Sequence, residues 1–527
     1  MVELSGFVGP FVPELLLFGG LLLVLLLDVL GIRRNETLAT VAITASVLAL
    51  LSILGDLGFG PLGVLATVGA GSLNVTPAAG SAPLYHLTSF GLVFQAIFLV
   101  SAILVVLASS SRPSREPGAP IFYALLLLAA VGMLLVAVAS DLIFLLLAIE
   151  VVSIPSYLLV GYRRQEARSM EAAMKFFIVG ALSTVLSFYG ASLLFGAYGS
   201  TNLFVLQAAA ASVGTPVLVL LGYGFLIAGL AFKVTLVPFH AWAVDVYDGA
   251  PSDVSAFLAG GTKKIGLFAF FLVFLGPVLL VHSATAGSSP FGGGPLDVGP
   301  MVSITLGVLA VLTMTVGNVL ALLQKEMKRM LAYSSISQAG YMLIGVTIGT
   351  APALTGATLQ ILAHVLMKGG AFLVVAGVAA LGIGPLIDDW KGLGVRRPLL
   401  GAAFALMLLS LAGVPLTIGF VSKFVLFSSA VQAQGWFIWL AIAGLLNSAL
   451  SVFYYARVLR VMYFDSGDPT ATAEAVPTTG LGAGGLGYGR AAAIGLVAVL
   501  IVGIGLYPQP ILQAIQSAAQ HFLLSGV

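Results

Sequence analysis

Five lysines and one glutamate fall within long apolar stretches of this 527-residue chain. They are Lys233, Lys263, Lys264, Lys368, Lys423 and Glu150. A charge at the centre of a bilayer costs about 2.5 to 3.5 kcal/mol even on the lower insertion scales, so such residues indicate function. Burial lowers the pKa of an amine and a nearby carboxylate raises it again, so moving the carboxylate changes the proton affinity near neutral pH. These residue types predict a proton relay inside a membrane.

Two structural explanations of the lysines are also open. Each lysine could extend its ammonium group to the membrane surface along its flexible stem, or form a static ion pair that locks two helices together. One carboxylate cannot neutralise five lysines, however, and Lys233 and Lys423 lie far from both ends of their apolar stretches. Taken together, the lysines favour proton transfer.

Other polar side chains accompany the lysines. His364 and Lys368 are four residues apart and share a helix face, which suits either a relay between lysines or a histidine hydrogen-bonded between helices. Lys263 and Lys264 point about 100° apart on a helix, so only one is expected to face the interior, and we assign that place to Lys263. Hydroxyl and amide groups between residues 333 and 341 suit either a water chain or polar contacts between helices.

Composition identifies the elements that hold these side chains. Hydrophobic residues make up 60% of the chain and charged residues 8%, whereas soluble proteins have about 25% charged residues. The chain has no cysteine, which excludes thiolate metal sites, iron–sulfur ligation and disulfides, and no basic tract indicates nucleic acid. The sequence predicts an all-α polytopic membrane protein in which residues 1–527 form a single membrane domain.

About fourteen transmembrane helices are predicted, because apolar runs of the roughly 20 residues needed to cross a bilayer recur along the chain. They cover residues 11–31, 38–55, 89–108, 121–139, 141–162, 174–198, 215–241, 254–281, 301–323, 329–349, 355–381, 399–430, 435–463 and 490–516. The loop Lys and Arg residues fall in odd-numbered loops, and the long even-numbered loops 56–88 and 282–300 contain none. Cytoplasmic loops are enriched in these residues, so the pattern predicts cytoplasmic odd loops and both termini outside.

Two of the lysine-bearing helices are expected to be interrupted. Pro238 follows Lys233 and Pro415 precedes Lys423, and proline removes a backbone donor from a helix. Interrupted helices at matching positions are typical of transporters built from inverted repeats. The predicted order is N-terminal helices 1–3 over residues 1–110, inverted five-helix repeats over 121–281 and 301–463, and a C-terminal helix over 490–516.

At these residues the chain resembles the antiporter-like, proton-conducting subunits of respiratory complex I, a family shared with Mrp cation/proton antiporters and membrane-bound hydrogenases. The matching stretches are residues 140–142 leading to Glu150, and residues 231–233, 237–240, 245–251 and 328–335. Within the family it is most similar to the subunit N branch of NADH-quinone oxidoreductase, through residues 171–177, 454–458 and 461–464 and the lysine at position 423. Residues 364–368 are more similar to the subunit L, Mrp or hydrogenase branches.

The resemblance implies a role for each matching residue. It implies that Glu150 and Lys233 form a coupled pair, that Lys263 is the central connecting lysine and that Lys423 lies on the exit side. It also implies that the chain works in a bacterial inner membrane among other membrane subunits, and that FMN, iron–sulfur clusters and quinone are held by partner subunits while this chain holds no cofactor. A subunit of an Mrp-type antiporter or of a membrane-bound hydrogenase is the alternative.

Overall fold

The computed structural model describes residues 11–58, 84–114, 116–212, 217–284, 298–465 and 486–524. In these ranges the chain forms α-helices joined mostly by short loops, and a π-helical turn over Leu258–Thr262. In chain order the α-helices are α1 Val12–Val29, α2 Asn35–Asp56, α3 Ser89–Ser109, α4 Ala119–Ala137, α5 Leu142–Val160, α6 Ala167–Tyr198, α7 Leu203–Ser212, α8 Val217–Val234, α9 Ala241–Gly249, α10 Ser252–Phe257, α11 Lys263–Ala284, α12 Val298–Leu322, α13 Met327–Ile348, α14 Ala351–Ala380, α15 Leu393–Arg396, α16 Pro398–Ala412, α17 Ile418–Gln432, α18 Ile438–Tyr463, α19 Tyr488–Leu506 and α20 Gln509–Leu524. The predicted all-α fold is confirmed.

Among the described residues, 12 helical segments are long and apolar enough to cross a membrane. The chain is therefore a multi-pass membrane protein. Each of the fourteen predicted spans overlaps a helix, but α13 is not among those 12 segments, and α16 and α17 are apolar but individually short. The total of fourteen spans stays a prediction. Most of the two long even-numbered loops lies outside the described residues.

Both predicted helix interruptions are present. Helix α8 ends at Val234, Thr235 has a φ of 68°, and α9 begins at Ala241. Helix α16 ends at Ala412, where Gly413 takes the left-handed conformation with a φ of 94° that a glycine adopts at little cost. The interruptions leave the carbonyl ends of α8 and α16 inside the protein, where they need hydrogen-bond donors.

The middle of the molecule is formed by helices that are buried on all sides. The segment that includes α10, the π-helical turn and the start of α11 is almost wholly buried, and so is α14. Helix α13 packs against both α12 and α14. By contrast, α6 and α18 expose large apolar side chains along one face, as expected for contact with lipid. Lys263 and Lys264 lie at the start of α11 and Lys368 lies in α14, so these buried helices carry three of the five mid-span lysines. Lys423 lies in α17, which packs on α14 together with α16.

The C-terminal end differs from the single helix predicted over residues 490–516. Helix α19 ends at Leu506 and a separate helix α20 begins at Gln509, because Pro508 disfavours helical geometry at the residue before it. Phe522 of α20 stacks on Phe90 of α3, with ring centroids 4.6 Å apart. The last two helices therefore pack against the third.

A buried ion-pair network joins the same parts of the chain. The guanidinium group of Arg112, after α3, lies 3.3 Å from Oδ2 of Asp253 in α10, and Arg490 of α19 lies 3.7 Å from Oδ1 of Asp253. Arg112 also pairs with Glu116 at 3.1 Å. The Arg490 backbone N–H donates to Ser111 Oγ at 2.9 Å. These contacts hold α3, α10 and α19 together at one end of the helices.

Candidate functional site

The five mid-span lysines are buried. Their exposed fractions are 9% for Lys233, 2% for Lys263, 0% for Lys264 and Lys368, and 5% for Lys423. The explanation in which each ammonium reaches the surface is therefore wrong. No carboxylate among the described residues forms an ion pair with any of them. Static ion pairs with the described acids are therefore not the explanation either, and neutral oxygen, sulfur or aromatic groups surround the ammonium groups.

Glu150 and Lys233 line one small cavity between α5, α6 and α8. Glu150 accepts a hydrogen bond from Thr184 Oγ1 at 2.6 Å. Lys233 donates to Ser153 Oγ, one turn after Glu150, and reaches the hydroxyl of Tyr157 at 3.5 Å. The two side chains are thus close neighbours without a direct ion pair, and Lys233 bonds instead to Ser153 on the helix that carries Glu150.

Lys233 and Lys263 line a second small cavity. Its wall also includes the hydroxyl-bearing residues Ser153, Ser156 and Tyr247. The rest of the wall is mostly apolar, and the cavity has room for at most about one water molecule. The arrangement thus continues from the first pair toward the centre of the molecule.

Both lysines at the start of α11 are buried, so the expectation that only one faces the interior is wrong. The cause is that α11 and the preceding π-helical turn have neighbouring helices on every side. Lys263 donates to the carbonyl oxygen of Ser335 at 2.9 Å and to its hydroxyl at 3.1 Å. Lys264 instead contacts the sulfur of Met342 at 3.7 Å, which is a weak acceptor. Only Lys263 thus contacts strong acceptors on α13.

His364 and Lys368 meet adjacent serines of α13. His364 Nε2 lies 3.4 Å from Ser335 Oγ, and Lys368 donates to Ser334 Oγ. Ser335 therefore contacts both Lys263 and His364. The second ring nitrogen of His364 is buried without a hydrogen-bond partner. The hydroxyl groups predicted on this helix thus bond directly to the titratable side chains of α11 and α14.

Lys423 is bound by the end of an interrupted helix. Its ammonium donates to the carbonyl oxygens of Leu411 at 2.8 Å and Ala412 at 3.1 Å, and to Ser448 Oγ at 2.9 Å. The carbonyl end of a helix carries a partial negative charge and lacks internal donors. Lys423 supplies those donors for α16. The Tyr341 ring lies 5.3 Å from the ammonium.

Several residues of this arrangement are not identified from the sequence. They are Ser153, Tyr157, Thr184, Gln360, Ser422 and Ser448. The position of Ser153, three residues after Glu150 on one helix face, is a signal that could have indicated it. The others lie on neighbouring helices, and only the packing brings them to the charged groups.

In the described part of the chain, no group of three or more His, Cys, Asp or Glu side chains could hold a metal ion. The hydrogen bonds of the buried lysines to oxygen are made to hydroxyl and carbonyl groups. These features define the class: a polytopic membrane protein with a buried series of titratable side chains.

Sequence comparison identifies the family. The pattern of the NADH:quinone oxidoreductase/Mrp antiporter transmembrane family matches residues 139–451, and the chain belongs to this family. It is 36% identical to F420H2 dehydrogenase subunit N of Methanosarcina mazei, over 96% of this chain and 97% of that protein. It is 40% identical to NADH-quinone oxidoreductase subunit N of Trichlorobacter lovleyi, over 77% of this chain and 81% of that protein.

Solved structures agree with this assignment. A chain of respiratory complex I from Thermus thermophilus is 30% identical and superposes with a TM-score of 0.73 over 95% of this chain and 99% of its own length. A chain of the Mrp complex from a Dietzia species superposes with a TM-score of 0.79 over 98% and 97% of the two chains, and its 22% identity shows a shared fold alone. The resemblance seen in the sequence is thereby confirmed.

Proposed function

We propose that this chain is a proton-translocating membrane subunit of a respiratory complex of the NADH-quinone oxidoreductase type. The observation that carries the proposal is the buried series of lysines, from Lys233 through Lys263 and Lys368 to Lys423, with Glu150 at one end. Burying these four lysines without a described counter-ion is costly and contributes little to stability. Proton transfer explains the cost, because a lysine can lose its charge and an arginine cannot.

Each group has a proposed part in the relay. Glu150 and Lys233 exchange a proton across their shared cavity through Ser153 or water. Lys263 receives it through the second cavity, and Ser335 connects Lys263 to His364. Lys368 continues the path on α14 beside Ser334. Lys423 is the exit-side lysine, held at the carbonyl end of α16. Charge on one lysine raises the cost of charge on the next, which couples the steps.

The orientation of the subunit follows from its loop charges. The odd-numbered loops would face the cytoplasm, and both termini would lie on the outer, periplasmic side of the inner (plasma) membrane of a bacterial cell. Residues 121–281 and 301–463 would form two inverted repeats, and the interruptions beside Lys233 and Lys423 support this division.

Electron transfer would belong to partner subunits. FMN, iron–sulfur clusters and quinone are expected there, and this chain supplies no cysteine ligand for a cluster. The relatives are named as subunits of an F420H2 dehydrogenase and of NADH-quinone oxidoreductases, so subunits of this kind work with more than one electron donor. The chain's own contribution would be proton transfer, driven by conformational and charge changes from the other membrane subunits.

The proposal is tested on the intact complex in membrane vesicles. An affinity tag on this chain should recover peripheral NADH-oxidising subunits, and NADH-driven quinone reduction should acidify the compartment that corresponds to the outside. Lys233→Met should remove most proton pumping from the assembled complex. Recovery of a set of small antiporter subunits, with sodium-dependent proton exchange and no NADH oxidation, would instead establish the Mrp-type alternative.

A further inference from the structure

A chain of hydrogen bonds without a titratable member lies beside Lys423. Ser422 Oγ donates to Gln360 Oε1 at 2.5 Å, and Gln360 Nε2 donates to Gln338 Oε1 at 2.7 Å. Gln338 Nε2 then approaches the carbonyl oxygen of Leu411 at 3.5 Å. All three side chains are fully buried. The chain therefore links α17, α14, α13 and α16 inside the protein.

The series of hydrogen bonds starts at the residue before Lys423 and ends at an acceptor of Lys423. Ser422 is its neighbour in sequence, and the carbonyl of Leu411 also accepts a hydrogen bond from the Lys423 ammonium at 2.8 Å. Gln338 and Lys423 therefore share one acceptor. The shared oxygen is one of three acceptors that the ammonium has, together with Ala412 O and Ser448 Oγ. A second donor that approaches the Leu411 carbonyl oxygen weakens the hydrogen bond between this oxygen and the Lys423 ammonium.

Glutamine is unsuited to carry a proton itself. An amide nitrogen has no available lone pair, so a proton cannot enter the chain at Gln360 and leave it at Gln338. Each amide does fix its neighbour, because a buried amide that loses its partner pays the full cost of desolvation. These hydrogen bonds can therefore fix the orientation of the two glutamines, but they cannot conduct a proton.

We propose that Gln338 and Gln360 are positioning residues for Lys423, and that they set how readily this lysine releases its proton. Gln338 competes for the Leu411 carbonyl, and Gln360 holds Gln338 in the competing orientation by donating to its side-chain oxygen. The inference rests on the proposed function in that the ion transferred at Lys423 is a proton.

The surroundings of Lys423 make its proton affinity sensitive to a change in one hydrogen-bond acceptor. Of the titratable groups, Tyr341 of α13 has its ring 5.3 Å from the Lys423 ammonium. His364 and Lys368 of α14 and Tyr454 and Tyr455 of α18 lie on helices that pack against α17. None of these is a carboxylate, and no described carboxylate pairs with Lys423. The ammonium depends on neutral oxygen atoms, so a change in one of them has a measurable effect.

The test is the pH dependence of proton pumping by the assembled complex in vesicles, with quinone reduction followed in parallel. Gln338→Met removes the competing N–H donor and keeps a side chain of similar length. The Leu411 carbonyl then accepts from Lys423 without competition from Gln338, which stabilises the ammonium form, so Lys423 releases its proton only at a higher pH. We expect the pH of half-maximal pumping to rise by about half a unit, because a full hydrogen bond to a charged group is worth about one to two units and the competing contact is long, at 3.5 Å. Gln360→Met should shift the profile in the same direction, because Gln338 loses the donor that orients it.

Gln324→Met is the control. Gln324 is a partly buried glutamine whose Nε2 donates to the backbone carbonyl of Leu320 at 3.0 Å, and it lies just after α12, outside the four helices that the hydrogen bonds link. Its pH profile should match that of the parent. If Gln338→Met does not assemble, Gln360→Met decides the test. Unshifted profiles, or an equal loss of pumping at every pH, would overturn the positioning role. A parental complex that reduces quinone without pumping would refute the proposed function instead.

Discussion

Lys263 donates from one ammonium group to both the carbonyl oxygen and the hydroxyl of Ser335, at 2.9 Å and 3.1 Å. The next residue, Lys264, is equally buried yet contacts only the sulfur of Met342 among the described acceptors. Two adjacent lysines thus have the same charge and burial but very different surroundings. We therefore expect Lys263, and not Lys264, to take part in proton transfer.

Replacing each of these lysines by methionine should therefore affect proton pumping differently. Lys263→Met removes the group between the second cavity and Ser335, so proton pumping should fall by about a hundredfold, the lower range for losing a proton-transfer group. Lys264→Met removes a buried charge that lacks a strong acceptor, so the complex should keep its pumping and unfold at an equal or higher temperature. Proton uptake and thermal unfolding of the purified complex measure the two effects. Equal loss of pumping in both variants would contradict the distinction.

Substitution of Glu150 tests the first pair. Glu150→Gln keeps the size of the side chain and can retain a hydrogen bond to Thr184, but it removes the proton-exchanging group beside Lys233. Pumping should fall by at least about tenfold, with the complex still assembled. Glu150→Asp keeps the charge with a shorter reach and should retain more activity than the amide. Proton uptake per quinone reduced is the measurement, and normal uptake in the assembled Gln variant would refute the role of Glu150.

Lys423→Arg separates proton release from helix capping. Arginine can donate to the carbonyls of Leu411 and Ala412 as the lysine does, so α16 should keep its end and the complex should assemble. The guanidinium group holds its proton above about pH 12, so the relay should stall. Proton uptake in vesicles, with NADH-driven quinone reduction as the control for electron transfer, measures the outcome. Pumping at the parental rate would show that Lys423 acts only as a structural cation.

The orientation of the chain is tested with reporters. A reporter fused after Arg164 should be cytoplasmic, because the loop between α5 and α6 is rich in arginine. One inserted within residues 282–300, which contain no Lys or Arg, should be outside. Enzymatic or labelling assays on intact cells distinguish the two sides. The reverse labelling would contradict the predicted orientation.

Asp253→Asn tests the ion-pair network. Asp253 is 7% exposed and pairs with Arg112 and Arg490, so its loss leaves two arginines short of a counter-charge. Breaking a buried pair in this way costs about 3 to 5 kcal/mol. Arg112 keeps Glu116 as a second partner, so the larger loss falls on Arg490. The purified complex should unfold at a lower temperature while the surviving fraction pumps normally. Unchanged thermal stability would show that the network contributes nothing.

The groups that the sequence reveals are those that contrast with their surroundings. Lys233 and Lys423 stand out because charge is rare in apolar runs, and the nearby prolines predict the interruptions that the structure has. Gln360 and Ser422 give no such signal, because neutral polar residues are common in membrane helices and acquire meaning only from their neighbours. The same limit explains Lys264, since helix geometry indicates where it points but not that another helix lies there.

Helix α20 illustrates a different limit. Residues 509–524 mix glutamines with apolar residues, so they lack the continuous apolar run that identifies a span, and the helix predicted over 490–516 includes their beginning. The aromatic stacking of Phe522 on Phe90 depends on two residues at opposite ends of the chain. A contact between residues so far apart in the sequence produces no local sequence pattern from which it could be predicted.

The contact between the last helices and the third also has a consequence for biosynthesis. The Arg490 backbone N–H and its acceptor Ser111 are 379 residues apart, so a growing chain must insert most of its helices before this bond can form. Until then the face of α3 that receives Phe522 stays open, and Asp253 lacks one of its two arginines. Completion of the C-terminal end therefore closes the bundle. A chain truncated before α19 would carry every lysine of the proposed relay and still leave part of α3 uncovered, so we expect it to be degraded faster than the full chain.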